Sequence, residues 1–274
     1  MPSFSPELMA RLSKGVFTVR SYEGTRENVP MFHWKGNLSE FFALVRDMVA
    51  DDSPGGEQAR ECHMNDKQGA WGGFHSQTEA DYLQTSRSID AQKAFNEALA
   101  HIDAKGKAST PEYRVTGGVW SVPRYLSGHP QCAIYRPKTA KPAKSYDVTA
   151  CFSSDVKSED VAKPLARIAR AAWDYQRSGG NVSIVVHYAV WFRKACEGQQ
   201  GICVSIRVPL SDVASIATAL SVQTFRYPML GIASGLTNLR GDTLKCGWIV
   251  KPGFIPIDGL GASDEKALLA AGIK

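Results

Sequence analysis

Long apolar runs are missing from this 274-residue chain. No stretch of about 18 apolar residues occurs, so a membrane-spanning helix is not expected. Paired-cysteine spacing is missing too. The six cysteines, Cys62, Cys132, Cys151, Cys196, Cys203 and Cys246, show no CxxC pattern. Cys151, Cys203 and Cys246 fall in apolar, strand-like runs, where a thiol acts as a small core residue. Reduced cysteines in a cytoplasm are therefore expected rather than disulfides. A Gly-x-Ser-x-Gly elbow, a P-loop and the spacings of helix-turn-helix, RNA-recognition and zinc-finger modules are also absent. The commonest motif-based readings fall with them. Met1-Pro2-Ser3-Phe4-Ser5-Pro6-Glu7 lacks a basic start and an apolar stretch, so a secretory signal is not expected. No internal repeat occurs.

What is present is an ordinary globular composition, 43% hydrophobic and 22% charged, long enough for one large domain or two small ones. Its net charge of +5 is unevenly shared. Residues 1–110 hold 12 Lys and Arg against 15 Asp and Glu, whereas 111–274 hold 20 against 12. The basic second part favours an anionic partner.

Residues 1–36 mix short apolar pieces with glycine and charge and yield no firm element. Asn37 or Ser39 can cap a helix carrying Phe41, Phe42, Leu44, Val45, Met48 and Val49 at helical spacing. Asp51-Asp52-Ser53-Pro54-Gly55-Gly56 ends it and opens a long loop through Trp71-Gly72-Gly73 to about residue 76. Residues 90–104 read as a second helix, and 105–111 as a linker. A short hairpin at 115–123 follows, then a basic, proline-broken loop at 136–144.

The strongest local signal runs from residue 145 to 192. Tyr146-Asp147-Val148-Thr149-Ala150-Cys151-Phe152 reads as a strand, Ser153-Ser154-Asp155 as a turn, and 159–177 as a helix stopped by Gly179-Gly180. A second strand covers 182–192, which completes a βαβ unit. Along the helix, Val161, Leu165, Ile168, Ala172 and Tyr175 share one arc. Lys163, Arg167, Arg170 and Arg177 fall opposite. A charged turn at 193–201 leads to a strand at 202–208, a helix capped by Ser211-Asp212, a strand at 244–250 and a terminal helix from Ser263.

The stretch Val115-Thr116-Gly117-Gly118-Val119-Trp120-Ser121-Val122-Pro123-Arg124-Tyr125-Leu126-Ser127-Gly128-His129-Pro130-Gln131-Cys132 resembles an uncharacterised family of tailed-phage and mobile-element proteins. The pattern is a glycine, an apolar-x-Val strand and an aromatic-Leu-x-Gly-x-Pro turn, continued by the strand with Ser153, the long helix and the Val-rich second strand. Coverage is about residues 37–233. The resemblance implies a phage-encoded protein of the infected host's cytoplasm, with an α/β core and no catalytic residue to carry over.

Cys151-Phe152-Ser153-Ser154-Asp155 is similar to the ion-site loop of von Willebrand A-type domains, where Asp-x-Ser-x-Ser ends the first strand and oxygen ligands hold Mg²⁺. Cys151 replaces the Asp and Asp155 the second Ser. Ser153 and Asp155 are thus weak metal candidates, and the resemblance implies a degenerate, metal-free relative. The bland reading is a turn whose side chains satisfy backbone donors. Cys62, His63 and His75 lack zinc-site spacing and an evident fourth ligand. His187 lies mid-strand among Val185, Val186 and Tyr188 and reads as a packed or surface histidine. Trp71-Gly72-Gly73-Phe74 reads as a contact loop or a turn anchored by aromatics. Arg136, Lys138, Lys141 and Lys144, with Lys163, Arg167, Arg170 and Arg177, form a basic set suited to phosphates, or else a solvated face.

The expected fold is therefore α/β, a mostly parallel or mixed sheet with flanking helices and a von Willebrand A/Rossmann-like core. A mainly helical region at 1–110 precedes the core at 111–274. The expected function is non-enzymatic binding of a macromolecule, nucleic acid ahead of protein and without a cofactor. A von Willebrand A-like adaptor or virion component for a phage or host protein, and an enzyme with an unrecognised site, are the alternatives. No membrane partner is expected.

Overall fold

Residues 13 to 37, which yield no firm element from sequence, form a strand pair. β1 (Ser13–Ser21) runs antiparallel to β2 (Arg26–Asn37), with Phe17 opposite Val29 and Val19 opposite Glu27. This computed structural model describes residues 4–21, 24–64, 86–105, 142–150, 158–208, 222–237, 244–257 and 262–273, with short pieces at 113–114, 119–120, 126–128, 130–131, 133–134 and 210. The hairpin corrects the expectation of a mainly helical N-terminal region. Helix is there too, in α1 (Pro6–Ala10), α2 (Leu38–Ala50), α3 (Pro54–Met64) and α4 (Ser86–Lys105).

The start of α2 follows from a reciprocal cap. Asn37 Oδ1 accepts from the Glu40 amide at 2.9 Å, and Glu40 Oε2 accepts from the Asn37 amide at 2.8 Å. α3 occupies part of the expected long loop. Pro54 fits its first turn, and the Ser53 hydroxyl accepts from the Gly56 amide at 3.3 Å.

Three two-residue strands, β3 (Tyr113–Arg114), β4 (Val119–Trp120) and β5 (Ala133–Ile134), form a small separate sheet in the order β3-β5-β4. β6 (Lys144–Ala150), α5 (Ser158–Arg177) and β7 (Val182–Cys196) form a strand–helix–strand unit whose strands pair in parallel. The expected charged turn after residue 192 is instead mostly strand. β7 continues to Cys196 and turns over Glu197-Gly198, both at positive φ, into β8 (Gln199–Val208). α6 (Val222–Thr237), β9 (Leu244–Ile249), β10 (Phe254–Ile257) and α7 (Ala262–Ala270) follow. The expected helix start at Ser211-Asp212, the linker after residue 105 and most of the 115–123 and 136–144 segments lie outside the described residues.

The main sheet is not the open one expected. Strands β7, β8, β2, β1 and β9 pair in succession, and β9 pairs back onto β7, so five strands close into a mixed barrel. The 15 residues of β7 make this possible. One edge pairs with β8; the other pairs with β6 through its first half and with β9 through Ala189, Val190, Trp191 and Phe192. β6 and β10 extend outward from that first half. This closure overturns the von Willebrand A/Rossmann-like core. Gly247 permits the seam: a Cβ there would stand 2.3 Å from the Arg20 carbonyl oxygen and 2.9 Å from the Trp191 ring.

Strand alternation gives the sheet two faces. The outward residues Phe32, Val148, Ile184, Val186, Tyr188 and Ile206 join Phe41, Leu44, Ile168 and Ala172 of the helices in the main core. The inward residues Val19, Val29, Met31, Ala189, Trp191, Cys203 and Ile249 form a second, smaller core inside the barrel. Among the described residues no helix is long and apolar enough to cross a membrane.

Candidate functional site

Followed along each strand, the inward face changes character. On β2 it passes from Val29 and Met31 to His33 and Lys35; on β8, from Cys203 to Ser205 and Arg207; on β7, from Ala189 back to His187. Apolar packing gives way to polar groups at one end. A cleft of about 860 Å³ opens there, lined by these polar residues together with Phe17, Asp147, Ile249, Lys251 and Phe254. Barrel mouths and comparable concavities are where ligand sites concentrate.

Four side chains on four adjacent strands are hydrogen-bonded in a row across the cleft. His187 Nε2 lies 3.0 Å from Asp147 Oδ1, His187 Nδ1 lies 2.8 Å from Ser205 Oγ, and His33 Nε2 lies 2.9 Å from Ser205 Oγ. Register explains the convergence. His187 pairs with Ser205, Lys35 pairs with Ser205 from the other side, and Asp147 and His33 are diagonal neighbours two positions off. The Phe254 ring stacks on His187 at 4.5 Å, and Phe17 meets His33 edge-on at 5.0 Å. Both imidazoles are thereby held by an aromatic and a hydroxyl.

Burial pulls the His33 pKa down to about 4, helped by the Lys35 ammonium and by His187. His187 is also lowered, chiefly by burial; its hydrogen bond and attraction to Asp147 oppose this, while Lys251 and Lys35 add to it. Both rings are therefore neutral near pH 7. Burial pushes the Cys203 thiol, 3.8 Å from Ser205 Oγ, up to about 12, so it stays protonated. Lys35, Arg207 and Lys251 bring three positive charges to the cleft. Among the described residues two carboxylates line it. Glu40 is engaged by the α2 cap and Asp147 by His187.

Five of the eight basic residues foreseen from sequence are among the described residues, four of them on α5. On α5, Arg167 bonds Glu265 of α7, while Arg170 and Arg177 both reach Asp174, at 3.2 and 3.6 Å. Lys144 Nζ sits 4.5 Å over the Tyr146 ring, and Lys163 is exposed beside the groove between α4, α5 and α7. Arg136, Lys138 and Lys141 lie outside the described residues, as do Ser153, Asp155, Cys151, His75 and 71–74. The side chains of Cys62 and His63 lie outside them too. Among the described residues no group of three or more His, Cys, Asp or Glu is arranged to hold a metal.

Of the cleft residues, sequence reasoning singled out His187 alone, and as a packed or surface histidine. The available signal was polarity at alternate positions of apolar strands: Asp147, His187, His33-x-Lys35 and Ser205-x-Arg207. No curated protein and no solved structure is detectably similar to this chain. Residues 24–248 match the family described as Domain of unknown function (DUF7192), and the chain belongs to that family.

Proposed function

We propose that this member of the family binds a small anionic molecule, bearing a carboxylate or phosphate, in the barrel mouth. One observation carries the reading: Lys35, Arg207 and Lys251 line a cleft whose two described carboxylates are already engaged. An anion entering it meets three cations and a row of neutral polar groups. The apolar barrel interior below and Phe254 beside it would cover the less polar part of such a ligand.

Calorimetric titration with inorganic pyrophosphate tests the reading. Saturable binding that weakens with salt, and falls at least about tenfold in Lys35→Glu with Arg207→Glu, is the expected result. Binding unaffected by that pair of changes, or none at millimolar ligand, would remove it.

Nucleic-acid association through the outer face of α5, the expectation from sequence, has less support. Three of its four α5 cations are engaged with carboxylates, which reduces the free positive charge. Retention of a salt-sensitive oligonucleotide complex by the Lys35→Glu, Arg207→Glu protein, and its loss in Arg167→Glu, would restore that reading.

A further inference from the structure

With both imidazoles neutral, the row of hydrogen bonds in the cleft has one consistent direction. An ionised carboxylate accepts and never donates, so the proton between Asp147 and His187 belongs to Nε2. A neutral imidazole carries a single N–H. Nδ1 of His187 is therefore bare, and the Ser205 hydroxyl donates to it. Ser205 Oγ in turn accepts from His33 Nε2–H and, more weakly, from the Cys203 thiol. The hydroxyl is thus fixed with its proton on a base whose far nitrogen is anchored to a carboxylate. That is the Ser–His–Asp relation of covalent hydrolases, with the two ring nitrogens exchanging roles. Ser205 is only 5% exposed, yet it lines the cleft.

We infer that Ser205 is a nucleophile and that the barrel mouth hydrolyses esters of small anionic acids through an acyl-serine. The substrate class rests on the anion reading above; the nucleophile does not. Ser205 Oγ bonds to the ester carbonyl carbon as its proton passes to Nδ1 of His187. The ester C–O bond breaks, and the alcohol leaves with that proton. Water then attacks the acyl-serine, gives a proton to His187, and displaces Ser205, which recovers its hydrogen. Asp147 stabilises the transient imidazolium. Lys35, directly across the strands from Ser205, brings positive charge to the side where negative charge develops.

A neutral alkyl fluorophosphonate tests the nucleophile on the full chain, read by intact mass and peptide mapping. The expected result is one adduct, on Ser205. It should be absent in Ser205→Ala and form about a hundredfold more slowly in His187→Gln. Asp147→Asn, which favours the wrong tautomer, should slow it as well. A folded wild-type protein that stays unlabelled, or that labels elsewhere, overturns the proposal without any variant being needed. The substrate class is read separately, by comparing nitrophenyl acetate with the nitrophenyl monoester of succinate. About a tenfold preference for succinate, lost in Lys35→Glu, is expected. Labelling of Ser205 without that preference keeps the nucleophile and sinks the anion reading. Pyrophosphate binding without labelling does the reverse.

Discussion

The two faces of one sheet are built from the same strands and answer to different demands. Along β7, Ile184, Val186, Tyr188 and Val190 point outward and are fully buried under the helices. The residues between them, Val185, His187 and Ala189, point inward and run from cleft to barrel core. The outer face needs only apolar volume, which burial rewards at every position. The inner face keeps polar groups beside an apolar core and must satisfy each one. It does so by joining Asp147, His187, Ser205 and His33 in a single row. One face therefore holds the fold, and the other holds the polar chemistry at low cost to it.

The largest expected effect lies outside. Phe32→Ala removes a fully buried ring from the helix-covered face and should cost about 3–5 kcal/mol in urea unfolding. At the barrel seam, Gly247→Ala forces a methyl toward the Arg20 carbonyl and should cost about 1–3 kcal/mol. A smaller figure for Gly247→Ala than for a surface Gly→Ala control would mean that the barrel is not closed there. Within the mouth, Ser205→Ala should cost only about 1 kcal/mol, since the imidazoles lose one partner each but line the cleft. A loss as large as that of Phe32→Ala would make Ser205 a structural group and blur the contrast between the faces.

The gentlest probe is pH. An unfolded histidine protonates near 6.5, whereas folded His33 resists until about 4, so between those values the unfolded chain binds more protons. The contribution is complete above the unfolded value and is lost as pH falls through the window. Melting temperature should therefore drop from pH 7 to pH 4, and less so in His33→Gln. A flat profile in the wild type would show that His33 is more open to water than its position in the cleft implies.

Local order was legible where one residue type decided it. A cap at Asn37 (one of the two candidates), the apolar arc of α5, and the β6–α5–β7 unit follow from short-range pattern. The first hairpin was missed because its inward and outward sides are both partly polar, as at Arg20, Asn28 and His33, so alternation was weak. The charged run at 193–201 looked like a long turn because Arg193, Lys194 and Glu197 dominated its composition. The turn itself needs only Glu197 and Gly198.

What the sequence determined by itself is therefore a share of the elements, their apolar sides, and a helix whose outer face is charged. Those depend on residues within a few turns of one another. Only the tertiary structure decided that the sheet closes, because closure requires β1, near the start of the chain, to meet β9, near its end, across Gly247. The site depends on the same event. Asp147, His187, Ser205 and His33 share no sequence motif, and strand register alone brings them within hydrogen-bonding distance.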